Sequence, residues 1–332
     1  MNLYPVKFKP ILKDKIWGGQ KLKTYLNKEF SHLPNCGESW EISGIHGDIS
    51  VVANGFLAGN SLLELIEVYM GDLLGDKVYE KFGLEFPLLI KFIDANDVLS
   101  IQVHPDDVIA KERHNAFGKT EMWYIIQADN GSELISGFNQ KADKEIYIKY
   151  LNQKKLKEIL NYETVGEGDV FFIPSGRVHA IGSGILLAEI QQTSDITYRI
   201  YDWDRVDTKG KGRELHTDLA VDVIDYNHYD NYRTNYDKIK NAEINLANCQ
   251  YFTTNLLEFD TVIHKDYKLL DSFVIFLCLD GQFNIEYGSK EKCQVSKGET
   301  VLIPAEIDNL VLVPDGTTKL LEVFIQDLEV QR

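Results

Sequence analysis

Long apolar runs are missing from this chain of 332 residues: none reaches the roughly 18 uninterrupted apolar positions of a membrane-crossing helix. The N-terminal stretch MNLYPVKFKPILKDK carries Lys and Pro where a secretory signal needs an apolar centre. The expectation is a cytoplasmic protein with no membrane partner. Cysteine is scarce. Cys36, Cys249, Cys278 and Cys293 form no C-x-x-C pair and are too few to staple a chain this long, so they read as reduced, small buried hydrophobes. Positive charge is in deficit, with 35 Lys and Arg against 51 Asp and Glu, a net charge of −16. A field of that sign repels nucleic acid and anionic lipid, and an anionic substrate would have to be held by cations placed locally. With 8 Pro, 24 Gly and 44% hydrophobic residues, the composition is neither collagen-like nor disordered.

Short strand-length runs dominate what is present: FPLLIKFI, LSIQVH, MWYIIQ, DVFFIP, GILLAEIQ, ITYRIYDW, FVIFLCL, FNIEY and TVLIP, each bounded by turn residues. Many short strands with frequent turns predict a mainly β protein of jelly-roll type. Helical patterns over 61–82, 141–160 and 214–226 read as decorations; in the last, Leu215, Leu219, Val223 and Tyr226 form an apolar stripe. The polar stretch 227–245 reads as a linker. It divides the chain into a catalytic domain with helical additions, residues 1–230, and a smaller β domain, residues 231–332.

An internal repeat supports that division. Gly168 to Pro174 and Gly298 to Pro304 share the order Gly, acidic residue, apolar strand, Pro, at identical spacing. The first copy continues to Gly176 and His179, the second to Glu306 and Asn309, so one copy is equipped for chemistry and the other reads as degenerate. Gln102 and His104, two apart on a predicted strand, leave the same face. With Glu121 and His179 they offer two imidazoles, a carboxylate and an amide oxygen, a mixed N/O set suited to Zn²⁺ or another divalent first-row ion. Taken singly, each has an ordinary reading as a satisfied core residue or, for Glu121, an ion pair with Lys119.

Gly168-x5-Pro174-x-Gly176-x2-His179 resembles the second motif of the cupin superfamily, with Ser183 where an Asn usually follows. Gln102-x-His104 followed by Glu121 resembles the first motif, with Gln in place of a His. The neutral amide leaves a bound ion more electrophilic and favours zinc and Lewis acid chemistry over redox chemistry. Longer motifs in order, namely Trp17-Gly18-Gly19, GESWEIS, FPLLIKFIDANDVLSIQVHP, GKTEMWYI, PSGRVHAIG and ILLAEIQQTSDITYRIYDWDR leading into RELH, resemble the type I mannose-6-phosphate isomerases in their short bacterial form, over about residues 5 to 228. The longer members have a His-Lys-Pro-Glu run where this chain has Gly118-Lys119-Thr120-Glu121, so a mechanism built on that His does not transfer.

The resemblance implies a double-stranded β-helix (cupin) bidomain and one Zn²⁺ per chain, held by Gln102, His104, Glu121 and His179. It implies isomerisation of mannose 6-phosphate and fructose 6-phosphate, with Ser100 and Lys119 lining the sugar phosphate pocket and Glu189 and Arg199 near the reacting carbons. Aldose–ketose isomerisation needs a base, a stabiliser of oxyanion charge and a proton route, which these residue types can supply. The parity of Glu189 with Gln191, and of Arg199 with Thr197 and Tyr201, lets each face a barrel interior. Lys119, Arg177 and Arg199 are the candidate local cations for an anionic substrate, catalytic in the case of Lys119 and Arg199 and substrate-binding in that of Arg177; the ordinary reading pairs the two arginines with Asp195 or Asp202. His216 reads as a packing or hydrogen-bonding residue, and His32, His46, His114, His228 and His264 as surface or loop residues. Trp17 and Trp40 read either as walls of a cleft or as core. Two rival functions share the fold: a non-catalytic sugar-phosphate sensor and a metal-dependent cupin oxygenase. The partner is a small-molecule sugar phosphate, and the chain reads as a monomer or small homo-oligomer.

Overall fold

The computed structural model describes residues 3–30, 33–206 and 209–326; His32 lies outside them. Every strand pair is antiparallel, and the strands form four sheets that face one another in two pairs. In the first barrel a six-stranded sheet runs Ile11–Gly19, Cys36–Ile42, Leu88–Ala95, Ile185–Gln192, Glu121–Ala128, Val170–Ile173. It faces a five-stranded sheet of Tyr198–Tyr201, Ile101–Val103, His179–Ala180, Glu133–Phe138 and Leu160–Thr164. In the second barrel, Thr300–Ile303, Val274–Asp280, Thr318–Phe324, Thr253–Phe259 and Glu243–Asn248 form the main sheet. Ile263–Asp266, Asn309–Pro314, Gln282–Tyr287 and Glu291–Ser296 form the sheet opposite. The expected cupin bidomain, mainly β with decorating helices, is the fold observed.

The apolar runs are continuous because the central strands are buried on both faces. Along Glu121–Ala128, Trp123 and Ile125 point into the first barrel, whereas Met122, Tyr124 and Ile126 point outward. That outward face packs against Leu256, Ile275, Leu277, Leu321 and Val323 from the main sheet of the second barrel, so the two six-stranded sheets share one core. The segment Val6–Lys7 pairs with Thr300–Ile303 and thereby adds an N-terminal strand to the second barrel's sheet. The stretch 227–242 straps the first barrel: Tyr232 Oη donates to Phe138 O (2.8 Å), and Arg233 Nη1 lies 3.0 Å from Asp169 Oδ2.

The helices are shorter than the sequence pattern predicts. Over 61–82 a Ser61–Glu64 capping box starts Leu62–Leu74, and Gly75, at φ +92°, separates it from Asp76–Phe82. Over 141–160 the helix is Lys144–Asn152, and Leu160 already begins a strand. Only Thr217–Val221 is α-helical within 214–226, and Leu215 and Leu219 are exposed. There the ends of the segment are held by a strand and a turn instead: His216 N donates to Arg199 O (2.7 Å) and Asp225 N to Gly176 O (2.8 Å).

Register explains why one barrel carries a donor set and the other does not. In the first, His179 pairs with Gln102 and Glu121 with Ile173; in the second, Asn309 pairs with Asp266 and Val274 with Ile303. The second barrel therefore presents Asp266, Val274 and Asn309 where the first presents Gln102, Glu121 and His179.

Candidate metal centre and cleft

His104 follows the strand Ile101–Val103, Glu121 opens its strand and His179 begins His179–Ala180, which brings all three to one end of the first barrel. His104 Nε2 is 3.3 Å from Glu121 Oε1 and His179 Nε2 is 3.8 Å from Glu121 Oε2, with all three side chains about 1% exposed. One ligand atom from each lies within 4.8 Å of the others, and among the described residues this is the one such cluster of three or more His, Cys, Asp or Glu. Each ring is oriented from behind: His104 Nδ1 contacts Ile196 O and His179 Nδ1 contacts Arg177 O, both at 2.8 Å. A carbonyl only accepts, so both Nδ1 atoms carry the proton and both Nε2 atoms present lone pairs to the carboxylate. Burial first, and then the Lys119 ammonium, push His104 down to about 3, and burial lowers His179 as well, so both rings are neutral. Burial would raise Glu121, but the Lys119 ammonium holds it well below the usual carboxylate range.

Lone pairs therefore face lone pairs. His104 Nε2 and both Glu121 oxygens are buried without a hydrogen-bond partner, an arrangement that costs free energy unless a cation lies between them. Gln102 lies beside them, its amide Nε2 3.2 Å from His179 Nε2; rotation of that amide by half a turn presents its oxygen as a fourth donor. Two neutral imidazoles, one carboxylate and one amide fit a divalent first-row ion.

The site opens into a cleft of about 350 Å³. Its walls include Trp17 and Trp40, and its lining carries six cationic side chains, Lys13, Lys15, Lys91, Lys119, Arg199 and Arg213, against three carboxylates, Glu38, Glu189 and Asp195. In a chain with a net charge of −16, this is the local cationic patch that an anionic ligand requires. Ser100 and Gln102 also line it. Lys119 Nζ is 3.1 Å from Glu121 Oε1. Arg199 donates Nη1 to Glu214 O (2.8 Å) and leaves Nε unpartnered; Arg213, not Arg199, takes Asp202, through Nε at 2.7 Å and Nη2 at 2.5 Å.

Glu189 is 4% exposed on the floor of the cleft. Lys91 Nζ lies 2.9 Å from its Oε2 and Trp123 Nε1 donates to its Oε1 at 2.9 Å. Burial and the Glu121 charge raise Glu189 above the ordinary glutamate value, against the pull of Lys91 and Lys119. Burial alone would lower Lys91, but Glu189 and Glu38 outweigh it and raise it.

Of the residues expected at the site, Ser100, Gln102, Lys119, Glu189 and Arg199 line the cleft, and His104, Glu121 and His179 form the donor cluster beside it. Arg177 does not line it. Its guanidinium lies over the rings of Tyr229 and Tyr232, at 4.6 and 4.8 Å, so stacking, not an acid, is its partner. His216 accepts from Arg199 N through Nδ1 (3.1 Å), the hydrogen-bonding role expected of it; His46, His114, His228 and His264 are exposed. Sequence reasoning missed Lys91, Glu38, Lys15 and Arg213. Lys91 and Glu38 had a signal: each is a charge inside a strand buried on both faces, which demands a partner.

Residues 6–133 match the family "phosphomannose isomerase type I, catalytic domain", and residues 242–325 match "mannose-6-phosphate isomerase, cupin domain". A mannose-6-phosphate isomerase of Streptococcus mutans is 36% identical over 88% of this chain and 90% of its own length. One of Bacillus subtilis is 35% identical over 92% and 94%. The crystal structure of a mannose 6-phosphate isomerase from Bacillus subtilis superposes with a TM-score of 0.85 at 31% identity, covering 97% of this chain and 99% of that one. The chain belongs to the type I phosphomannose isomerase family.

Proposed function

We propose that this protein is a cytoplasmic, zinc-dependent aldose–ketose isomerase that interconverts D-mannose 6-phosphate and D-fructose 6-phosphate through an enediol. The observation that carries the reading is the buried trio His104, Glu121 and His179 at the end of a cation-lined cleft, with His104 Nε2 and both Glu121 oxygens lacking a hydrogen-bond partner. Gln102, His104, Glu121 and His179 would hold the zinc ion. Bound there, zinc supplies Lewis acidity toward a substrate carbonyl or hydroxyl oxygen.

The chain's own residues account for the rest. Glu189 carries the proton between C1 and C2: its raised pKa brings proton exchange closer to neutrality, and Lys91 and Trp123 fix its two oxygens. Arg199, with a free Nε, balances the charge of the enediolate. Ser100 and Lys119 receive the phosphate, and Lys119 also neutralises Glu121. Isomerisation in D2O tests the enediol: deuterium accumulates at C2 of recovered mannose 6-phosphate, whereas its complete absence after many turnovers contradicts a proton-transfer route.

A further inference from the structure

The loop Gly118–Thr120 delivers two groups to the site. Lys119 lines the cleft, and Thr120 leads into Glu121. Its three amides are all held: Gly118 N donates to Asp107 Oδ1 (2.8 Å), Lys119 N to Pro105 O (3.1 Å) and Thr120 N to Gln192 Oε1 (2.9 Å). Gln192, itself buried, donates Nε2 to the same Asp107 Oδ1 at 2.9 Å. The other carboxylate oxygen, Asp107 Oδ2, accepts from Tyr251 Oη at 2.7 Å. Tyr251 belongs to the turn between Glu243–Asn248 and Thr253–Phe259, in the second barrel.

We propose that Tyr251 is a positioning residue for the first barrel's site, acting across the barrel interface through Asp107 and Gln192 to fix the loop that carries Lys119 into Glu121. Two donors converge on one oxygen of Asp107, so the tilt of its carboxylate is set by what holds the other oxygen, and that is Tyr251. Asp107 sits in the first turn of the helix Asp107–His114, where backbone N–H groups favour a carboxylate. Burial and the bond to Asp107 raise the Tyr251 phenol, so it stays a donor at neutral pH.

Gly118 and Thr120 are the two residue choices in the loop that the bracket requires. A Cβ at Gly118 would lie 2.5 Å from Asp107 N and 2.6 Å from Asp106 C, so a side chain there forces the loop off Asp107. A proline at 120 has no N–H for Gln192 to accept. The second barrel, which presents Val274 in place of a metal ligand, thus contributes to the site by holding it.

The kinetic consequence rests on the isomerase reading; the loop geometry does not. The test compares full-length Tyr251→Phe, Asp107→Ala and the double variant with the parent protein. Zinc affinity is read by chelator competition, amide exchange over 116–122 by mass spectrometry, and kcat for mannose 6-phosphate per zinc-loaded molecule. Loss of the tyrosine hydroxyl weakens zinc binding about tenfold, as removal of groups supporting metal ligands does, and speeds exchange in that segment. It also lowers kcat about tenfold, within the roughly hundredfold that a misplacement of about 1 Å can cost. On the Asp107→Ala background, Tyr251→Phe adds no further change. Unchanged zinc affinity and kcat with only a lowered melting temperature, or fully additive effects, overturn the proposal. If Tyr251→Phe does not fold, Gln192→Glu, which sets a carboxylate against Asp107, must move the same readouts, and unchanged values overturn it. A parent protein that binds zinc but does not isomerise the sugar phosphate defeats the isomerase reading alone, leaving zinc affinity and amide exchange to decide this one.

Discussion

Lys91 is the residue on which the floor of the cleft depends, and Lys91→Met isolates its contribution. Its ammonium lies 2.9 Å from Glu189 Oε2 and 2.6 Å from Gln191 Oε1, and the side chains of Lys91 and Glu189 are 8% and 5% exposed. At an effective dielectric near 20, a unit pair at that distance attracts by about 6 kcal/mol before desolvation. Removing one partner of such a buried pair destabilises by about 3–5 kcal/mol, because the remaining charge is left uncompensated. Protonation of Glu189 limits the loss. Its folded-state pKa already stands above the ordinary value, so the native state binds a proton in a range where the unfolded chain has released it. Native stability from this group therefore falls as pH rises through that range. Loss of the ammonium lifts the native pKa further. The difference between variant and parent is thus smallest at the acid end of the range and grows, as pH rises, by up to about 1.4 kcal/mol per pH unit before levelling off. Urea unfolding of both proteins, stripped of metal and followed by circular dichroism between about pH 5.5 and 8, measures this directly. A loss below about 1 kcal/mol that does not vary with pH would refute the reasoning, because it would mean that the pair is hydrated.

Two further perturbations test other charges. In the second barrel Lys265 Nζ lies 2.6 Å from Glu322 Oε1, with side chains 3% and 1% exposed, and Tyr267 Oη and Asn255 Nδ2 donate to the same carboxylate. Lys265→Met should cost about 3–5 kcal/mol in urea unfolding, and Lys265→Met combined with Glu322→Gln should recover most of it; a double variant no better than the single would contradict a buried ion pair. Burial would raise Asp202, but the fork of Arg213 together with Arg205 holds it below the usual aspartate value. A depressed carboxylate stabilises the fold above its unfolded pKa and loses that contribution as pH falls toward its folded one. Arg213→Ala should therefore flatten the acid limb of the stability profile below about pH 4, and an unchanged limb would count against the pairing.

Much of the fold and of the site is legible in the sequence, for identifiable reasons. The strand runs are continuous apolar stretches, and the Gly-to-Pro repeat marks the same turn and strand in both barrels, at Val170–Ile173 and Thr300–Ile303. The cluster His104, Glu121 and His179 is readable because ligand types at motif spacing have few other uses. The failures have physical causes as well. The apolar stripe over 214–226 does not become a long helix, since His216 hydrogen-bonds to the strand residue Arg199, Asp225 to the turn residue Gly176, and Leu215 faces solvent. Arg177 resembles an anion ligand by neighbourhood, but Tyr229 and Tyr232, some fifty residues later in the strap, claim its guanidinium. Lys91 and Tyr251 act through partners about a hundred residues or more away, Glu189 and Asp107, and local pattern does not say which residue the partner is.

The central claim is that the converging lone pairs of His104, Glu121 and His179 exist to hold a zinc ion on which sugar phosphate isomerisation depends. One coupled assay of mannose 6-phosphate to fructose 6-phosphate conversion, run on the protein as purified, after chelation and after zinc is restored, tests it most directly. The account predicts turnover that chelation abolishes and zinc restores, with neither response in Glu121→Gln. Turnover that survives complete removal of metal, or a fully zinc-loaded protein that isomerises nothing, would contradict it.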